Sequence, residues 1–273
     1  MLDFSTLPFQ DKIYYQDSET VIYCGDALEI APLLPRGELL LTDPPYGIDE
    51  NSDIQKTRAH LADPTDYGDY HWDKKINREL LYTVMNTAKN QAIFGGNYYA
   101  DWLPASSCWL VWDKDNSGDF ADCELVWTSF PTAVRKFRWR WNGFIQQDMK
   151  HKERRVHPTQ KPTALIEWII THYTQPGDLV IDTFGGSGTT NYCAKKLGRK
   201  SISIEINPDY CKIAAGRLAS VSVTHNYQRC YICGALLIGK RLDARTCSAR
   251  CRVAMMRRGG RWIEPDKYQS YPR

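Results

Sequence analysis

The run ELLLT (38–42) is apolar without a break, and it ends at Asp43. A strand with one wet face alternates apolar and polar residues, so an unbroken run predicts a strand covered on both faces. VIYC (21–24), QAIFGG (91–96), CWLVWD (108–113), DLVIDTF (178–184) and SISIEI (201–206) read as further strands. Between them lie stretches with helical spacing: ALEIAPLL (27–34), INRELLYTVMNTAKN (76–90), PTALIEWIITHYT (162–174), NYCAKKLG (191–198) and PDYCKIAAGRLAS (208–220). Strands that alternate with helices predict an α/β fold, a doubly wound and mostly parallel sheet. Residues 49–76 are polar and rich in turn residues, and predict a long loop of the functional kind.

A chain of 273 residues has room for one such domain and a small appendage. Charge and cysteine usage both change near residues 219–226, which predicts a domain over 1–220 and a module over 221–273. From residue 221 onward there are eleven Lys/Arg against three Asp/Glu, a balance of +8, whereas the rest of the chain carries −5. A basic tail on a mildly acidic body points to a polyanion, most often nucleic acid. Apolar runs fall far short of a membrane span, and MLDFSTLPFQDK does not read as a secretory leader. The expectation is a cytoplasmic protein with no membrane partner and reduced thiols. Cys24, Cys108, Cys123, Cys193 and Cys211 are scattered. Cys230, Cys233, Cys247 and Cys251 follow C-x2-C-x13-C-x3-C, two close pairs that predict a structural Zn2+ site.

Two strand ends carry candidate chemistry. LLLTDPPYG closes a strand on one carboxylate, two φ-locked prolines and one aromatic ring: Asp43, Pro44, Pro45 and Tyr46. DLVIDTFGGSGTT is strand, glycine turn, helix; Gly185, Gly186 and Gly188 let backbone approach a ligand closely. No Gly-Lys-Ser/Thr follows, so it is not a nucleotide P-loop. Glu205 ends the next strand, where an acid can accept from a ribose diol. An adenosine-bearing cofactor is the expectation. HPTQKP (157–162) leads into a helix beside the strand of Asp182, where Lys161 could meet a carboxylate.

GDALE, LLLTDPPYG, IFGGNYYADWL, CWLVWDK, HPTQKP, DTFGGSGTT and GRKSISIEINPDYCKIAAGRL, in that order, resemble the β class of amino-group DNA methyltransferases over residues 19–219. The resemblance implies the class I methyltransferase fold in permuted order, S-adenosylmethionine as cofactor and DNA as partner. It implies that Asp182, Phe184, Gly185, Gly186, Ser187, Gly188 and Thr189 wall the cofactor. Glu205 would hold the ribose, Asp26 would sit near the adenine, and Lys161 would face the methionine end. The family's proline in the loop's third position is Thr183 here. Members that methylate cytosine N4 typically carry Ser in place of Asp43, so adenine N6 is expected and cytosine N4 is the alternative. In that reading Asp43 and the Pro44 carbonyl accept from the amine of a flipped base, and Tyr46 stacks on it.

Residues 135–155 set Arg135, Lys136, Arg138, Arg140, Lys150, Lys152, Arg154 and Arg155 among Phe137, Trp139, Trp141 and Phe144. That mixture predicts a DNA-binding strip, although its alternation also suits a half-buried strand. A zinc-dependent DNA-binding protein without catalysis is the alternative of another class, and a homodimer is left open.

Overall fold

The computed structural model describes residues 2–48, 74–115, 121–142, 145–157, 159–221, 246 and 249–257. Most of the long loop expected over 49–76 lies outside these residues, as do Cys230, Cys233 and Cys247. The chain divides into two compact units, 1–224 and 225–273.

In the first unit the strands are β1 (Ile13–Gln16), β2 (Thr20–Cys24), β3 (Gly37–Thr42), β4 (Ala88–Phe94), β5 (Trp109–Asp113), β6 (Cys123–Thr128), β7 (Arg135–Arg138), β8 (Trp141–Asn142), β9 (Ile145–Gln146), β10 (Leu179–Asp182) and β11 (Lys200–Glu205). The helices are α1 (Ala27–Ile30), α2 (Arg78–Met85), α3 (Thr163–Tyr173), α4 (Thr189–Lys196) and α5 (Pro208–Ala219). The main sheet runs β1-β2-β11-β10-β3-β4-β6-β5-β7, and β8 and β9 pair apart from it. Strands β2, β11, β10, β3 and β4 are parallel; β6 is antiparallel to both β4 and β5. This is the doubly wound, mostly parallel α/β architecture expected.

The unbroken apolar run is explained by two cores. Leu39 and Leu41 face Leu165, Ile169 and Cys193, on α3 and α4. Leu40 points the other way, to Ile30, Val84 and Ile181. All three leucines are fully buried, each contributing roughly 1.5–3 kcal/mol.

Several elements differ from the sequence expectation, β1 and the β8–β9 pair among them. The helix predicted over 76–90 stops at Met85, and Ala88-Lys89-Asn90 open β4 in register with Gly37 and Leu39 of β3. Strand β6 was not expected. ALEIAPLL gives one α-helical turn, then a 3₁₀ turn at Ala31–Leu33 around Pro32. The half-buried strand foreseen in 135–155 does form: β7 is parallel to β5, with Phe137 half-buried between exposed cations.

Of the second unit the structure describes α6 (Ala249–Arg257), where the Cys251 thiol is buried and Arg250 and Arg252 are exposed. Among the described residues no helix is long and apolar enough to cross a membrane, and no group of three or more His, Cys, Asp or Glu could hold a metal.

Candidate active site

The carboxyl ends of β2, β3, β10 and β11 open on one cavity of about 360 Å³. In a doubly wound sheet ligands bind there, where the strand order reverses. Its walls include Asp26, Asp43, Pro45, His157, Lys161, Asp182, Phe184, Gly185, Gly186, Ser187, Thr189, Glu205 and Tyr210.

The glycine loop is built for close approach. Gly186 and Gly188 sit at φ +49° and +74°, a region that side chains disfavour. A β-carbon on Gly188 would stand 2.6 Å from that of Ala214. Gly186 N–H donates to Glu205 Oε2 at 2.7 Å, and Asn207 N–H donates to Oε1 at 2.8 Å. These two bonds aim the Glu205 carboxylate at the cavity, while burial pushes its pKa up. Asp26 caps α1 by accepting from Leu28 N–H at 2.8 Å. Arg217 donates from one nitrogen to the Ser187 carbonyl, Ser187 Oγ and Thr189 Oγ1, and so holds the loop from behind.

β10 and β3 are tied at their ends. Thr42 Oγ1 donates to Asp182 Oδ1 at 2.9 Å, and Phe184 N–H donates to the same oxygen at 3.2 Å. Burial pushes Asp182 up to about 6, against hydrogen bonds from Thr190, Thr42 and Phe184 that hold it down.

The Asp43 shelf follows directly. The Tyr99 hydroxyl donates to the Pro45 carbonyl and pins the double proline from behind. The Tyr46 hydroxyl donates to Asp43 Oδ1, and the Tyr46 ring stacks on Tyr98 at 4.7 Å and 16°. Lys161 Nζ donates to Asp43 Oδ2 at 2.5 Å. Lys161 was expected to reach the strand of Asp182; it lines the cavity, but its carboxylate partner is Asp43. Burial pushes the Asp43 carboxyl up, Lys161 and Tyr46 hold it down, and nearby Glu124 pushes it up again. Tyr46 and Pro44 lie outside the cavity lining.

His157, the first residue of HPTQKP, stands in the wall beside Tyr210, which sequence reasoning did not name. Its ring tilts onto Tyr210 at 4.3 Å and lies 3.7 Å from where a Gly186 β-carbon would be. Burial first, then Lys161 and Arg155, lower its pKa to about 3, so the ring is neutral. Thr159 N–H donates to Nδ1 at 3.2 Å, which leaves the proton on Nε2.

The cations expected to bind DNA do not line this cavity. Arg138 and Arg140 both pair with Asp115, and Lys136 pairs with Asp113 at 3.1 Å. Arg135, Lys150, Lys152 and Arg154 are exposed, and Arg155 is half-buried.

Residues 111–216 match the DNA methylase family profile for N6 and N4 enzymes. The type II methyltransferase M2.DpnII of Streptococcus pneumoniae is 44% identical over 258 residues, covering 78% of this chain and 95% of that protein. This chain belongs to the amino-group DNA methyltransferase family. The type II methyltransferase M.ScaI of Streptomyces caespitosus is 26% identical over 76% of this methyltransferase and 84% of its own length. Among solved structures, the PvuII DNA methyltransferase (cytosine-N4-specific) covers 77% of this chain and 91% of its own. Its TM-score is 0.52 at 21% identity, which is a likeness of fold.

Proposed function

We propose that this methyltransferase moves the methyl group of S-adenosylmethionine to N6 of a flipped-out adenine in DNA. The observation that carries the reading is Asp43: one carboxylate on a pinned double-proline shelf, at the wall of a cavity whose other wall is the glycine loop and Glu205. The cavity fits the cofactor, because Gly186 lines it without a side chain and Glu205 presents acceptor oxygens to a diol. Asp26, Phe184, Glu205 and the loop 185–189 would hold it. Bound there, it supplies a sulfonium methyl.

An exocyclic amine is a poor nucleophile while its lone pair is shared with the ring. Asp43 and the Pro44 carbonyl accept its two N–H bonds and draw it toward sp³, which frees the lone pair. Positioning supplies most of the remainder. Once the nitrogen is cationic, its surplus proton passes to the Asp43 carboxylate that already accepts from it. Tyr46 offers a ring for the extruded base. Cytosine N4 presents the same amine chemistry; Asp43, where N4 enzymes typically carry Ser, favours adenine. A type II methyltransferase accords with the relatives' names.

For the appendage, the four thiols Cys230, Cys233, Cys247 and Cys251 suit a closed tetrahedral Zn2+ site that orders a basic DNA grip. Cys251 is a buried thiol on a helix with exposed arginines, which accords with that role. The strip at 135–155 would contact phosphates as well.

The test is transfer from labelled cofactor to unmodified DNA, followed by nucleoside chromatography. N6-methyladenine is the expected product. N4-methylcytosine would overturn the choice of base, and no labelled nucleoside would overturn the enzyme reading.

A further inference from the structure

The double-proline shelf has a rim of cations and rings. A 3₁₀ turn at Gly96–Tyr99 follows β4, and α2 begins at Arg78. Both segments reach the shelf. The Tyr99 hydroxyl donates to the Pro45 carbonyl, and the Tyr98 ring stacks on Tyr46. A β-carbon on Gly47 would stand 2.7 Å from that of Lys75. Lys75 and Tyr98 therefore pack on residues 45–47 themselves. Lys75 and Arg78 are exposed, as are the Tyr98 and Tyr82 side chains. Lys75 Nζ donates to the Tyr98 carbonyl at 2.8 Å, and Arg78 donates to the Asp101 carbonyl at 3.3 Å. Lys75 lies 5.4 Å over the Tyr99 ring and 4.9 Å over Trp102, and Arg78 lies 5.7 Å over Trp102.

Carbonyls and rings hold a cation in place without cancelling its charge. An ammonium has three N–H bonds and a guanidinium five, so each keeps donors to spare. Among the described residues neither cation is paired with a carboxylate, and Arg78 takes the Asp101 carbonyl in preference to its side chain. On β7 the opposite holds, where Asp113 and Asp115 take Lys136, Arg138 and Arg140. We propose that Lys75 and Arg78 grip the phosphates of the DNA strand that carries the target base, on either side of the extruded nucleotide. A base that leaves the stack turns about its own backbone, so the strand must be held where the base enters. Contacts to phosphate do that without reading sequence. The exposed Tyr98 and Tyr82 rings beside these cations suit nucleic acid, which offers bases as well as charge. The inference rests on the methyl-transfer reading above and names a surface, outside the 135–155 strip, that meets the DNA.

The test is filter binding of duplex DNA at several salt concentrations, with Lys75→Gln and Arg78→Gln combined in one variant. Binding should weaken about ten-fold near physiological salt, and the salt slope should fall by about 0.9 for each cation removed. Affinity for S-adenosylmethionine by calorimetry should not change. Lys89→Gln is the control, since Lys89 is exposed at the opposite end of β4. An unmoved slope in the double variant, or an equal fall in the control, would overturn the proposal. Should the double variant lose cofactor binding, Arg78→Gln alone is measured, and there too an unmoved slope overturns it. Neutral methylphosphonates, placed one at a time at the phosphates flanking the modified base, then fix the position of the contact. At one of them the double variant should lose nothing further, because the contact is already gone; losses that multiply at every position would also overturn the proposal. Binding needs no turnover, so the two readings fail separately. A wild type that binds DNA but transfers no methyl group removes the methyl-transfer reading, whereas an active wild type whose slope ignores Lys75 and Arg78 removes this proposal alone.

Discussion

A β-carbon at Gly95 would overlap Tyr46 Cε1 and Cζ, and the backbone there sits at φ +63°. Gly95→Ala should therefore push the Tyr46 ring off its seat and strain the chain by roughly 1–2 kcal/mol. Thermal unfolding and the fluorescence of 2-aminopurine at the target base would read the two effects separately. Asp43→Ala should abolish transfer while calorimetry still finds cofactor binding, because the carboxylate serves the amine and not the sulfonium. Tyr46→Ala should weaken the flipped complex by about 1–3 kcal/mol, the worth of one base–aromatic stack. Tyr46→Phe keeps the ring and should cost less. His157 gives a stability signature. Its folded pKa, about 3, lies below the ordinary 6.5. Below 6.5 the unfolded chain takes up a proton that the folded chain refuses, so stability falls with pH across that window. His157→Gln should flatten that part of the acid limb in urea unfolding at stepped pH.

Among the elements, β7 holds its cations in check. Asp115 binds both Arg138 and Arg140, so neither guanidinium is fully offered to phosphate. Asp115→Asn should tighten DNA binding and steepen its salt dependence by up to about 0.9 per released contact. Filter binding at several salt concentrations decides it; an unchanged slope would remove β7 from the DNA strip. How far such elements could be read in advance depended on what holds them. β3 and β10 were legible because burial on two faces writes an apolar strand, and β11 because its isoleucines alternate at the period of a strand. The start of β4 was not: Ala88-Lys89-Asn90 suit a helix, and only pairing with β3 pulls them into the sheet, a contact 51 residues away in sequence between Gly37 and Ala88. β6 was hidden by Cys123-Glu124, a polar start whose purpose lies in Lys114 and Lys161. Eleven of the 26 residues that line the cavity were named beforehand, on segments where glycines and prolines mark their own turns. Their partners, Glu124 and Arg217, were not, since ion pairs between distant segments leave no local pattern.

At the scale of the molecule, the appendage carries the positive charge and the body is mildly acidic. If the appendage holds zinc as proposed, Cys247→Ser should abolish it, spare cofactor binding, weaken DNA binding and flatten its salt dependence. Zinc content with DNA affinity at two salt concentrations is the measurement; lost zinc with an unchanged slope would make the module something other than a DNA grip. The body, for its part, is assembled out of sequence. β2 and β3 are neighbours in the chain, yet β11 and β10 lie between them in the sheet. A ribosome releases the shelf strand roughly 140 residues before its partner; at about 5–20 residues per second, many seconds pass before β10 is made. Until then β2 and β3 each present a bare edge toward a two-strand gap, and the pocket has only one wall. The nascent chain therefore cannot load its methyl donor early. Its last folding step closes the sheet's centre, not its rim, and bare inner edges during that wait are where misfolding during synthesis would begin.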